Sequence, residues 1–149
     1  MLKLSLESLG QAIELGGWEQ KWQQVHQALT DVESLPPGCA YTRGDALTFM
    51  RADNAFLSQN AFIAHRRYRA VVMPVNGCVC LEFSPVQFLK PLKLYSDISD
   101  SGTYIGSGTV IELSLHEVGL FEVDEALRVL PQPYGQTALI HVTREPQRS

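Results

Sequence analysis

The stretch Ala64 to Phe83, AHRRYRAVVMPVNGCVCLEF, decides the fold. Residues 62 to 75 read as one long strand, and Asn76-Gly77 is the strongest short hairpin signal in the chain, a type I′ turn from which CVCLEF returns. Strand parity puts Arg66, Tyr68, Ala70, Val72 and Pro74 on one face, and Arg67, Arg69, Val71, Met73 and Val75 on the other. Both faces turn apolar after residue 70, so the strand enters a layered core there. Its basic head is then either a solvated edge or polar chemistry at the mouth of a barrel.

Working outward, the neighbouring segments are also strands. CAYTRGDALTFM is two short runs around Arg43-Gly44-Asp45, a further hairpin signal. Pro85 and Pro91 break the next stretch, leaving LKLYSD as edge strand and loop. SDISDSGTYIGSGT, rich in Ser, Gly and Asp, reads as loop. Alternation resumes in VIELSLHEVGLFEV, and TALIHVTRE is the closing strand. Two helical pieces precede all of this. Leu6, Leu9 and Ile13 form one stripe, with Ser8 and Gln11 as a weak capping box and Gly16-Gly17 as the stop. Trp18, Trp22, Val25 and Leu29 form a second stripe in WEQKWQQVHQAL, where His26 reads as an ordinary helix-surface histidine. Many short strands behind two helices indicate a mainly β protein, a sandwich or barrel with a helical cover. At 149 residues the chain is one domain, 1–149, with the helical segment 1–35 packed on a β-sandwich over 38–145.

Composition narrows the function. The chain is 45% hydrophobic and 19% charged with a formal charge of -4, so it has no global attraction to nucleic acid or to an acidic membrane. No apolar run is long enough to span a bilayer, and Ser, Glu and Gln interrupt the N-terminal stretch where a signal peptide would need an apolar core. A cytoplasmic location is expected. Cys39, Cys78 and Cys80 are an odd set with no zinc spacing, and they read as reduced core residues. There is no G-x-S-x-G, P-loop, dinucleotide fingerprint or H-E-x-x-H. The glycine-rich GTYIGSGT lacks the lysine and the following helix of a phosphate cradle.

Several segments together resemble a family. QKWQQVHQALTDVESLPPGCAYTRGDALTF, AHRRYRAVV followed by NG, LEFSP and LHEVGLF come in the order and approximate spacing of the YhcH/YjgK/YiaL family, on the branch that holds the small (β) subunit of evolved β-galactosidase. The resemblance runs from the first helix to ALIHVT. It implies a cupin-like jelly roll (a double-stranded β-helix) with two N-terminal helices, and a role in carbohydrate metabolism. It implies a metal site at three positions, a carboxylate and a histidine where this chain has Ala70 and Val72, and a histidine retained here as His116. Ala70 and Val72 offer no donor, so no metal and no cofactor is expected.

By the family register, Arg66 and Tyr68 face inward with His116, and His141 stands near where relatives carry a lysine. Glu82 or Glu112 would compensate an inward Arg66. Arg, His and Tyr are the groups that hold a small sugar, so the substrate-binding candidates are Arg66, Tyr68, His116, Glu82 and His141, with His116 and His141 also the catalytic candidates. The other reading of the same residues is that Arg66 and Arg67 edge a solvated strand and His116 is a core histidine. Two functions follow from the resemblance: an accessory subunit bound to a large glycosidase chain, or a small sugar-binding enzyme of the anomerase or isomerase type. A third is a pure binding or regulatory module with a degenerate pocket and a homodimer interface, since pairing would protect sheet edges.

Overall fold

The computed structural model describes residues 1–43 and 47–143, and the chain in it is mainly β. The first sheet has the strand order β1 (Leu2–Ser5), β10 (Glu117–Phe121), β5 (Tyr68–Asn76), β12 (Gln136–Thr143), β3 (Leu47–Asp53), β2 (Ala40–Arg43). The second runs β7 (Lys90–Ser96), β8 (Ser101–Ile105), β4 (Phe62–Ala64), β11 (Glu125–Val129), β6 (Val79–Pro85), β9 (Thr109–Leu113). Every ladder between named strands is antiparallel.

Helices α1 (Leu6–Leu15) and α2 (Lys21–Asp31) lie on the outer face of the first sheet. Their Leu9, Trp22, Val25 and Leu29 pack against Val71, Met73, Ala138, Ile140 and Val142 of β5 and β12. The alternate residues of those strands, Ala70, Val72 and Leu139, meet Leu81, Leu127 and Val129 of the second sheet. A central strand buried on both sides loses its polar alternation, which is why Val71–Pro74 are all buried.

Local chemistry sets the ends of the helices. The Ser5 hydroxyl accepts from the Ser8 amide at 3.0 Å, so Ser5 caps α1 rather than Ser8, and the residues before it form a strand instead of helix. Gly16, at φ 91°, stops it. A short helix α3 (Asn54–Leu57) follows β3. Among the described residues no helix is long and apolar enough to cross a membrane.

The deciding stretch folds differently from its reading in several places. Residues 62 to 75 are two strands in different sheets, β4 and β5, with a corner at residues 65–67. The next strand, β6, lies back in the second sheet, so Asn76-Gly77 is a sheet-to-sheet corner and not a hairpin turn. Gly77 still supplies the positive φ of 77° that Asn-Gly announces; period and turn chemistry do not say which sheet the next strand joins. The segment read as loop contains β8. The β2–β3 ladder pairs Arg43 with Leu47, while Gly44 and Asp45 of the expected hairpin signal lie outside the described residues, as do 144 and 145 at the end of the expected sandwich. Cys39 and Cys78 are exposed and Cys80 half-buried, against the expectation of a core role, because they sit at the starts of strands.

Candidate functional site

The two sheets enclose a cavity of about 280 Å³ with an apolar floor and a polar mouth. Ala70 and Val72 of β5, Leu139 of β12 and Ile63 and Leu127 of the facing sheet line the floor. His65, Tyr68, His141, Ser99 and Ser101 line the mouth. The His65 and His141 rings are 4.7 Å apart between centroids, and Tyr68 lies 5.9 Å from His141.

Each of these groups is placed by the strands. His141 sits across β12 from Ala70, so a methyl group opposite it leaves room for the imidazole. Tyr68 is the first residue of β5 and shares the face of Ala70 and Val72. His65 lies at the corner before β5, which a single carboxylate organises. Asp100, at φ 47° and 4% exposed, accepts from the backbone amides of Arg66 at 3.1 Å and Arg67 at 3.2 Å, and from the Tyr95 hydroxyl. Burial opposes charge on Asp100, but these donors and nearby His65 outweigh it and hold its acidity stronger than that of an ordinary aspartate. Its backbone oxygen lies 2.6 Å from His65 Nδ1. A carbonyl only accepts, so Nδ1 carries the hydrogen and Nε2 is the nitrogen left for exchange.

His141 is held neutral. Burial first, and the neighbouring His65 second, lower its pKa from 6.5 to about 4, with Asp100 acting weakly the other way. Its ring has no hydrogen-bond partner among the described residues, which leaves both nitrogens for a bound molecule. The sign of its effect on stability follows. Between pH 6.5 and about 4 the unfolded chain takes up a proton here and the folded chain does not. The stabilising effect of a neutral His141 is complete above pH 6.5 and is lost as pH falls, reaching about 3 kcal/mol below the folded pKa. His141→Gln is expected to flatten this part of the stability profile, measured by denaturant unfolding at several pH values. An unchanged slope in the variant would place the acid sensitivity elsewhere.

Of the five substrate-binding candidates, Tyr68 and His141 line the cavity, and Arg66, His116 and Glu82 do not. Arg66 lies at the 65–67 corner with an exposed side chain stacked over Tyr95 at 3.9 Å. Parity counted back from β5 does not hold there because the chain is no longer strand. His116 sits in the turn between β9 and β10, at φ 63°, and its ring meets Glu33 outside the barrel. The run read as continuous alternation breaks at that turn, so the register does not reach it. Glu82 is buried, but its oxygens accept from the Gly108 amide at 2.9 Å and from Arg128, so it is not the partner of Arg66. The Gly108 hydrogen bond, with Arg128 adding to it against burial, keeps Glu82 more acidic than usual. Glu112 faces Cys80, also away from the cavity. Arg67 and Arg69 are outside as well, beside Asp97 at 3.7 Å and Glu122 at 3.0 Å.

The three positions of the implied metal site therefore do not fit a metal: Ala70 and Val72 line the cavity without a donor atom, and His116 is elsewhere. Among the described residues no group of three or more His, Cys, Asp or Glu stands close enough to hold an ion. Sequence reasoning missed His65 and Asp100. His65 lies at the corner before β5, where strand parity assigns no face, and Asp100 lies in a segment that reads as loop.

Two antiparallel sheets around a central cavity, with the helices outside, define a cupin-like β-sandwich. No family model matches the chain. Solved structures that match the chain include hydroquinone 1,2-dioxygenase from Sphingomonas sp. TTNP3 with 4-hydroxybenzoate bound (TM-score 0.48, 10% identity, covering 76% of this chain and 71% of that one). They also include protein NMB1881 from Neisseria meningitidis (TM-score 0.45, 9% identity, 77% and 95%). A putative mannose-6-phosphate isomerase from Ralstonia eutropha JMP134 is more distant (TM-score 0.30, 11% identity, 74% and 92%).

Proposed function

We propose that the cavity binds a small sugar and that His65 and His141 exchange protons with it, promoting interconversion of its anomers. The observation that carries this is His141, a neutral imidazole without a protein partner among the described residues, set 4.7 Å from a second imidazole in a sugar-sized cavity. Ring opening of a hemiacetal needs a proton removed from the anomeric hydroxyl and one delivered to the ring oxygen as the bond between carbon and ring oxygen breaks. Neutral His141 accepts the first. His65, in its protonated form, gives the second from Nε2 while the Asp100 carbonyl holds Nδ1–H. Reclosure on the other face returns both protons, and no metal is involved in any step.

Mutarotation of free hexoses and pentoses, followed by NMR exchange with and without protein, tests this. His141→Ala and Tyr68→Phe should each weaken sugar binding by about 1–3 kcal/mol, as loss of a hydrogen bond in a desolvated site does. Arg66→Ala should leave it unchanged. A wild-type protein that neither binds nor equilibrates any common monosaccharide at millimolar concentration would end this reading.

A second reading, the accessory subunit of a large glycosidase, draws support from a different surface. Edge strand β7 and its flanks leave Phe88, Leu92, Leu94 and Ile98 exposed, Leu94 at 80% and Ile98 at 99%. Exposed apolar groups clustered on a sheet edge mark a contact surface. Co-expression with a large glycosidase chain tests it: Leu94→Glu should abolish co-purification while sparing sugar binding.

A further inference from the structure

A second cavity, of about 260 Å³, lies beside the first, and His65 lines both. Its distinctive group is Arg66. The guanidinium stacks on Tyr95, 3.9 Å from the ring centroid, and among the described residues it has no carboxylate partner. This differs from Arg67, Arg69 and Arg128, each of which faces an acid. A stacked guanidinium keeps its N–H groups in the ring-parallel plane, free to bind an anion in fork geometry.

The position is also built in advance. The carboxylate of Asp100 binds the Arg66 amide at 3.1 Å and the hydroxyl of Tyr95 together, so one buried group fixes both the arginine backbone and the ring it rests on. Asp100 holds a left-handed φ of 47°, which aspartate tolerates through local hydrogen bonding. Tyr104, Val86 and Val123 complete the walls, and Asp124 stands at the rim. We propose that this cavity is a site for a small anion, a carboxylate or a phosphate group, bound through the Arg66 guanidinium. The site shares His65 as a wall with the sugar cavity, but its anion-binding group, Arg66, lies outside that cavity, and the proposal does not depend on sugar binding.

The test is an NMR titration of the isotope-labelled full chain with inorganic phosphate and, separately, with acetate, at ionic strength held constant with chloride. The expected result is a saturable shift of the Arg66 Nε–Hε signal and of the Arg66 and Arg67 amides, with the other arginines still. Arg66→Ala should abolish the response, Arg66→Lys should weaken it at least fivefold through loss of the fork, and His141→Ala should leave it intact. Saturation by phosphate alone assigns a phosphoryl group, and by acetate alone a carboxylate. Either supports the site. Shifts spread evenly over Arg66, Arg67, Arg69 and Arg128, a response that survives in Arg66→Ala, or no saturation by either anion would overturn it.

Discussion

Replacing Asn54 by alanine is expected to lower the unfolding free energy by about 3–5 kcal/mol, as removal of a buried, fully bonded polar group does. Asn54 opens α3 directly after β3 and is wholly buried. Its Nδ2 donates to the carbonyl oxygens of Cys78 at 2.9 Å and Tyr134 at 3.0 Å, and its Oδ1 accepts from the equally buried Thr137 hydroxyl at 2.5 Å. The side chain thus joins the end of β3, the corner before β6 and the approach to β12. Alanine would leave two carbonyls and a hydroxyl without partners, each costing about 1–3 kcal/mol less whatever water recovers. Asn54→Asp should be no better, since it keeps the acceptor for Thr137 but sets a carboxylate against two carbonyl oxygens. Gly135 is part of the same junction: at φ 98°, a Cβ there would stand 2.5 Å from Asn54 Nδ2. Denaturant unfolding with unchanged m-value would measure the loss. A change under about 1 kcal/mol would show that water enters and substitutes for the amide.

Trp22→Ala is the second large effect, again about 3–5 kcal/mol. The indole is 6% exposed, lies in the core between α2 and the first sheet, and meets Trp18 edge-on at 5.3 Å between ring centroids. Most of the cost is a cavity under the helix that the rigid sheet surface cannot close, and the aromatic pair adds about 0.5–1.5 kcal/mol. Trp18→Ala should cost clearly less because that ring is only partly buried. Comparable losses for the two, or a Trp22→Ala loss under about 1 kcal/mol, would mean that α2 rests loosely on the sheet.

These two residues also mark what the sequence makes legible. The stripe of Trp22, Val25 and Leu29 is a local pattern with one physical meaning, and it appears as a buried helix face. The alternation from Tyr68 to Val72 is equally local, and it placed Tyr68, Ala70 and Val72 on one face correctly because those residues are in one strand. Arg66 and His116 lie beyond the ends of such runs, at corners where the chain leaves one sheet for the other. A corner of three residues resets the parity, and nothing in the alternation on either side records that. Asn54 gave no signal at all: an asparagine after an aspartate reads as turn chemistry, and its partners are 24 to 83 residues away. The site was half legible for the same reason. His141 belongs to a regular strand, whereas His65 takes its position from Asp100, 35 residues on.

The route of the chain between sheets has a kinetic consequence. Among the described residues, two of the eleven connections between successive strands, β2–β3 and β7–β8, join strands that pair with each other. Nearly every ladder must therefore wait for a distant segment to arrive, and loop closure is lost in entropy before any pairing is gained. Neither sheet is able to assemble ahead of the other, because β4, β5 and β6 alternate between them within one stretch of chain. Refolding from denaturant should accordingly run on the millisecond-to-second scale of all-β topologies, as one concerted phase nucleated by long-range contacts and not by a preformed hairpin.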